Sequence, residues 1–246
     1  MNGDVLITGA TGLIGGEIAW RLMNSGRRVW CVVRSKSFAE AATRLERRFA
    51  LSGQSCDWPR LVALPGDVTQ EMLGIPSETL RHLLKECRHV IHCAADTSFA
   101  AHNRCAKVNL TGTRNVLNVC AALGPHVRLF HTSSAVVCSS RREESLTFNP
   151  QSAIGNPQSQ IIHEADFPAG FSNDYVLSKR NCEQLVLQSS VDAVILRPSI
   201  VLSHGVNSAE FARSILWVLP VIRRLGVLPL NGAEPLDMVS VHFVAG

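Results

Sequence analysis

The chain has 246 residues, 46% of them hydrophobic and 18% charged, enough to bury one substantial core, and a single α/β domain over 1–246 is expected. A net charge of +4 with no lysine or arginine run gives no electrostatic footprint for nucleic acid. Eight cysteines without a CxxC pair and nine histidines without an HExxH predict neither a metal centre nor a redox motif.

The first predicted strand, Asp4–Thr8, stands at the start of the sequence with no charged leader before it, so a cytoplasmic protein with reduced thiols is expected. It runs into Thr8-Gly9-Ala10-Thr11-Gly12-Leu13-Ile14-Gly15 and then a helix, Gly15–Asn24. A dinucleotide pyrophosphate needs backbone N–H groups at a helix N-terminus, and glycines let the chain turn tightly beneath it. Gly9, Thr11, Gly12, Leu13, Ile14 and Gly15 are therefore candidates for cofactor binding.

The second strand, Arg28–Val33, ends in Arg34-Ser35-Lys36, and no carboxylate lies between Glu17 and Glu40. A site for NAD(H) usually places an acid there for the adenosine 2′-hydroxyl, whereas a guanidinium pairs with a 2′-phosphate. NADP(H) is favoured over NAD(H), with Arg34 as the phosphate partner and Arg44, on the helix Phe38–Leu51, as a second. Strands at Leu61–Leu64, His89–Cys93, Arg128–Ser133 and Ala193–Leu196 then alternate with helices at Ser77–Cys87, Lys107–Leu123 and Tyr175–Gln188. That alternation predicts a doubly wound parallel sheet, the Rossmann fold.

Two stretches break the rhythm, 139–173 and 201–246, and ligands of open α/β sheets bind beyond the strand ends. Both are candidate substrate segments. The apolar run Ser214–Leu230 is broken by Arg223, Arg224 and two prolines, so no integral membrane segment is expected, although a lipid-like substrate could touch it.

The single tyrosine, Tyr175, lies four residues before Lys179 at a helix start. That spacing puts phenol and ammonium on one face, where the cation is expected to lower the phenol pKa and let it exchange a proton with a carbonyl oxygen. Ser134, in Thr132-Ser133-Ser134 after the fifth strand, could hydrogen-bond the same oxygen. His131, His204 and His242 read as structural or rim residues. No glycine-flanked serine of a nucleophile elbow is present.

Together the glycine turn, Ser134 and Tyr175-x-x-x-Lys179 resemble the extended short-chain dehydrogenases/reductases. Gly66-Asp67-Val68, His92-Cys93-Ala94-Ala95, Asn109-Leu110-Thr111-Gly112-Thr113 and Arg197-Pro198-Ser199-Ile200 extend the match. The resemblance implies that Asp67 and Val68 border the adenine and that Ala94 and Ala95 line the cofactor. It implies that Asn109 supports the catalytic geometry, that Pro198, Ser199 and Ile200 meet the nicotinamide amide, and that Lys179 also binds the nicotinamide ribose beside Tyr175.

Within that superfamily the chain is similar to thioester-reductase-like proteins, the group of fatty acyl-CoA reductases. Val33-Arg34-Ser35 followed by Arg44-Leu45, Gly66-Asp67-Val68 followed by Leu73-Gly74, and the stretch Leu236–Ala245 carry this finer likeness. In the last, Ser240 and His242 replace the family's proline and aspartate. The sequence stops at Gly246, where the family leads into its last helices, so the C-terminal substrate region reads as small and incomplete.

The resemblance implies NADPH-dependent reduction of an acyl thioester, on coenzyme A or a carrier protein, to an aldehyde or alcohol. Two other readings stay open on the sequence. One is an extended dehydrogenase or epimerase acting on an alcohol, ketone or nucleotide sugar; the other is a binding protein that senses NADP(H).

Overall fold

A computed structural model describes residues 3–97, 104–138, 174–203, 224 and 238–246. Short β-branched runs form the strands β1 (Asp4–Thr8), β2 (Val29–Val33), β3 (Leu61–Pro65), β4 (Cys87–His92), β5 (Arg128–Thr132) and β6 (Ala193–Leu196). Between them stand the helices α1 (Leu13–Asn24), α2 (Phe38–Leu51), α3 (Ser77–Glu86), α4 (Arg104–Leu123) and α5 (Asp174–Leu187).

The six strands form one sheet in the order β3-β2-β1-β4-β5-β6, and every pairing is parallel. The order reverses beside β1, so a crevice opens at the carboxyl ends of β1 and β4, where such sheets bind ligands. β2, Val-Trp-Cys-Val-Val, is buried at all five positions, as a strand covered on both faces must be. Trp30 and Val32 face a core with Leu6, Leu64, Val90, Val116 and Leu129. Cys31 and Val33 face the other core, with Ile7, Leu45 and Phe49.

The predicted elements all recur, with shifted ends. Cys87, expected at the close of a helix, pairs with Asp4 as the first residue of β4; the sheet takes its backbone groups, and α3 stops at Glu86. Sequence periodicity does not mark β7 (Ile200–Leu202) and β8 (Met238–Ser240), which pair in parallel. Three residues are too few to establish a period of two. A last short helix, α6 (Val241–Ala245), packs on α1, capped by Ser240, whose Oγ accepts from the Phe243 N–H.

The turn after β3 is strained. Met72 and Leu73 have φ of 47° and 60°, a region costly for residues with a Cβ. Complete burial of Leu73 in the core and the bond from the Asp67 N–H to the Leu73 carbonyl (2.9 Å) offset that cost. The turn forms one wall of the cleft described below.

Candidate active site

β1 delivers the chain to the glycine turn. Gly9 has φ +78°, and a Cβ there would stand 2.5 Å from the Ala94 backbone nitrogen. Only glycine fits. The Gly12 N–H donates to the Gly9 carbonyl at 2.9 Å, closing the turn, and a Cβ on Gly15 would strike the same carbonyl. α1 begins with no side-chain cap at Gly12 and no acid in its first turn. Its first N–H groups and the positive end of its dipole are thus directed at the crevice, a donor set suited to a dinucleotide pyrophosphate. Thr11, Leu13 and Ile14 are half-buried around this turn.

Sequence reasoning missed the group that holds the turn. Arg48 on α2, 5% exposed, donates to the Gly12 carbonyl (2.9 Å), the Leu13 carbonyl (3.3 Å) and Ser52 Oγ (2.7 Å). In the sequence it is one of several charged residues on an amphipathic helix, and no spacing distinguishes it.

Arg34 and Arg44 come together. Both line an open cleft of about 490 Å³ with Lys36, Glu40, Asp67, Gln70 and Gly74, and Arg44 donates to the Arg34 carbonyl. The two carboxylates in this cleft are engaged locally. Glu40 accepts from the Lys36 N–H at 2.9 Å, and its own N–H donates to Ser37 Oγ, the side-chain cap at the start of α2. Asp67 accepts from the Thr69 N–H and hydroxyl, each at 2.8 Å. Val68 is fixed by Asn115, which donates to its carbonyl at 2.8 Å.

On the other side of the switch point the proposed proton-handling residues converge. Ser134, in the loop after β5, comes close enough to Tyr175, in the first turn of α5 and 41 positions later in sequence, for its hydroxyl to draw the phenol pKa down. Lys179, 4% exposed, donates to the Thr132 carbonyl at 2.8 Å. Its ammonium is surrounded by Cys93, Cys105, Cys182 and Glu183, and burial pulls its pKa down against them. The expected lowering of the Tyr175 pKa is not what this arrangement gives. Burial pushes the phenol up, the Ser134 hydroxyl draws it partly back, and the nearby Cys105 adds to the rise. Lys179 is turned instead to the end of β5.

Asn109 on α4 is buried and ties three segments together. Its Oδ1 accepts from the Asp96 N–H (2.7 Å), while its Nδ2 donates to the Asp96 carbonyl (3.1 Å) and to Ser178 Oγ (2.9 Å). Ser178 in turn donates to the Tyr175 carbonyl, so Asn109 steadies the helix turn that presents the phenol. Ala94 reaches the same crevice, its N–H 3.4 Å from Thr8 Oγ1, and Ala95 follows it. Pro198 accepts from the Ala135 N–H at 2.8 Å; Ser199 is half-buried, and Ile200 begins β7 opposite Met238.

His131 is buried, as a structural residue would be, and stacks on His92 with ring centroids 5.3 Å apart. Burial and the Lys179 charge pull its pKa down to about 3, so both rings are neutral. His92 bonds Thr8 Oγ1 at 2.7 Å. His242 packs α6 on α1 through Arg21 and Glu17, and His204 lies outside the described residues. Among the described residues, no group of three or more His, Cys, Asp or Glu could hold a metal ion.

The profile of the male sterility protein family, an NAD-binding domain, matches residues 7–246. A polyketide synthase-nonribosomal peptide synthetase of Aspergillus clavatus is 28% identical over 251 residues, 98% of this chain and 6% of that protein. Fatty acyl-CoA reductase 1 of Homo sapiens is 25% identical over 226 residues, 80% of this chain and 43% of that one. The terminal R domain from the myxalamid PKS-NRPS biosynthetic pathway superposes with a TM-score of 0.82 at 25% identity, over 99% of this chain and 60% of that one. The chain thus spans less than half the length of these two curated relatives.

Proposed function

The chain belongs to the male sterility protein family of NAD-binding domains, and from that premise we propose that it reduces a thioester-bound acyl group with NADP(H) as its cofactor. The observation that carries the reading is the convergence of Ser134, Tyr175 and the buried Lys179 at the end of β5, set beside a glycine turn with no competing side-chain cap. The relatives include a fatty acyl-CoA reductase and the terminal R domain of a PKS-NRPS biosynthetic pathway, which supports an acyl thioester on coenzyme A or a carrier protein over a ketone or nucleotide sugar.

When bound, the nicotinamide supplies a hydride to the carbonyl carbon. Ser134 and Tyr175 hold the carbonyl oxygen, and Tyr175 delivers the proton. A raised phenol pKa keeps Tyr175 protonated and ready to donate at neutral pH. Lys179, held at the end of β5 by the Thr132 carbonyl, would bind the nicotinamide ribose. The thiol then leaves, giving the aldehyde. The NADP(H) preference rests on Arg34 and Arg44 at the cleft and on Glu40 and Asp67 being held by backbone and hydroxyl donors nearby.

We take 1–246 as one unit whose acyl-binding parts are 139–173 and 201–246. Of these, residues 139–173 lie outside the described residues, as does all of Ser214–Leu230 except Arg224. Among the described residues no helix is long and apolar enough to cross a membrane. A cytoplasmic setting is proposed because the described cysteines are all unbridged and mostly buried.

The test is a substrate panel. With NADPH the chain is expected to oxidise the cofactor in the presence of acyl-CoA or carrier-bound thioesters and to release aldehyde or alcohol, with NADH at least about tenfold poorer. Turnover of ketones or nucleotide sugars but not thioesters would move the reading to the other branch of the superfamily. Tight NADPH binding without turnover of any carbonyl compound would favour a sensor.

A further inference from the structure

The backbone on either side of Ser134 is held by the backbone on either side of Arg197. The Ser133 N–H donates to the Leu196 carbonyl at 2.7 Å, and the Ala135 N–H donates to the Pro198 carbonyl at 2.8 Å. Between those two acceptors, the Arg197 guanidinium turns to α5 and grips Glu183 with two prongs, Nε to Oε1 at 2.9 Å and Nη2 to Oε2 at 2.6 Å. The Glu183 side chain is 4% exposed.

Glu183 follows Lys179 by four residues and Tyr175 by eight, so the three lie along one stripe of the helix. Lys179 closes the ring from the other direction through the Thr132 carbonyl. A continuous circuit results, from Tyr175 and Lys179 to Thr132, through Ser133 and Ala135 to the end of β6, and back through Arg197 and Glu183 to α5.

We propose that Arg197 and Glu183 are positioning residues, a bidentate ion pair that sets the approach of Ser134 to Tyr175 by joining the backbone around Ser134 to the catalytic stripe of α5. A fork meeting a carboxylate edge-on fixes orientation as well as distance, which a lysine ammonium cannot do. The pair is enclosed enough that loss of either partner strands a charge. Its effect is on geometry, because an error of an ångström or so between reacting groups costs on the order of 10²-fold in rate.

The kinetic consequence rests on the reductase reading, whereas the positioning itself can be read without a substrate. Tyr175 is the single tyrosine of the chain, so its ionisation appears alone as tyrosinate absorbance. Ser134 holds the phenol pKa below the level that burial would set. Around the same helix stripe stand Lys179, Cys105 from α4, His92 at the end of β4 and Cys93 just after it, His131 from β5, and Cys182. Arg197→Lys keeps the positive charge beside Glu183 and removes the fork.

The experiment is an alkaline titration of the full chain followed by tyrosinate absorbance, with circular dichroism confirming the fold at each pH. Native protein is compared with Ser134→Ala, Arg197→Lys and the double variant. Both single variants are expected to shift the titration upward by the same amount, and the double variant no further. An Arg197→Lys titration like the native one, or additive shifts in the double variant, would overturn the proposal. Should Arg197→Lys fail to fold, Glu183→Asp, which keeps the charge and shortens the arm, carries the same expectation and the same refutation. In turnover, Arg197→Lys is expected to lower kcat more than about tenfold with KM within about twofold. A native chain inactive on thioesters that still titrates as described would refute the reductase reading and leave the positioning role standing.

Discussion

The two sides of the crevice are built in opposite ways. The proposed cradle for the pyrophosphate is contiguous: Thr8 to Gly15 supplies the turn, the close approach and the helix N-terminus within one βα unit, and Arg48 supports it from outside. The side proposed to handle the proton is assembled from far apart in the sequence, with Ser134 beside Tyr175, Thr132 bonded to Lys179 and Glu183 bonded to Arg197. The first side can fail through one backbone atom. The second distributes its geometry over a ring, so its parts should fail together and leave cofactor binding intact.

The strongest way to sharpen that contrast is Ser134→Ala. It is expected to lower kcat about 10²-fold by removing a donor to the developing charge, with the Kd for NADPH within about twofold, measured by steady-state kinetics and nucleotide fluorescence. A parallel loss of NADPH affinity would mean the two sides are not separable. Gly9→Ala should do the reverse. Its positive φ and the nearby Ala94 nitrogen force strain of about 1–3 kcal/mol into the turn, weakening NADPH by up to about 10²-fold, as calorimetry would read.

Arg34→Ala gives a smaller and more selective effect: NADPH affinity falls about tenfold while NADH affinity is nearly unchanged, so the preference between them narrows. Equal losses for both would remove Arg34 from the 2′-phosphate.

The smallest effect concerns stability. His131 has an ordinary pKa near 6.5, lowered to about 3 by burial and by Lys179. The unfolded chain therefore binds a proton that the folded chain refuses, and the His131 contribution, full above pH 6.5, is lost as pH falls toward about 3. His131→Phe should flatten the fall in unfolding free energy between pH 7 and 5, read from urea titrations, by up to about 1 kcal/mol per pH unit; an unchanged slope would refute it.

How much was legible in the sequence follows the same division. Contiguous features were readable, because a glycine turn at the end of a strand and a Tyr/Lys pair at helical spacing each declare their geometry locally. Arg34 and Arg44 were also nameable, since Arg44 follows the second strand by one helix. Arg48, Glu183 and the carbonyl of Thr132 were not, because their roles depend on partners placed by the sheet. The charge effect between Lys179 and Tyr175 was misjudged for a related reason: i,i+4 spacing sets a shared face, but not where a long side chain ends, and Lys179 ends at β5. β7 and β8 escaped detection because each has only three residues and its partner lies 38 positions away in the sequence.

The central claim, that Tyr175 is the proton donor of a thioester reductase, is tested most directly by Tyr175→Phe with NADPH and an acyl-CoA thioester. The predicted result is NADPH affinity within about twofold of the native chain and turnover lower by about 10²–10⁴-fold. A variant that reduces the thioester at the native rate would contradict it.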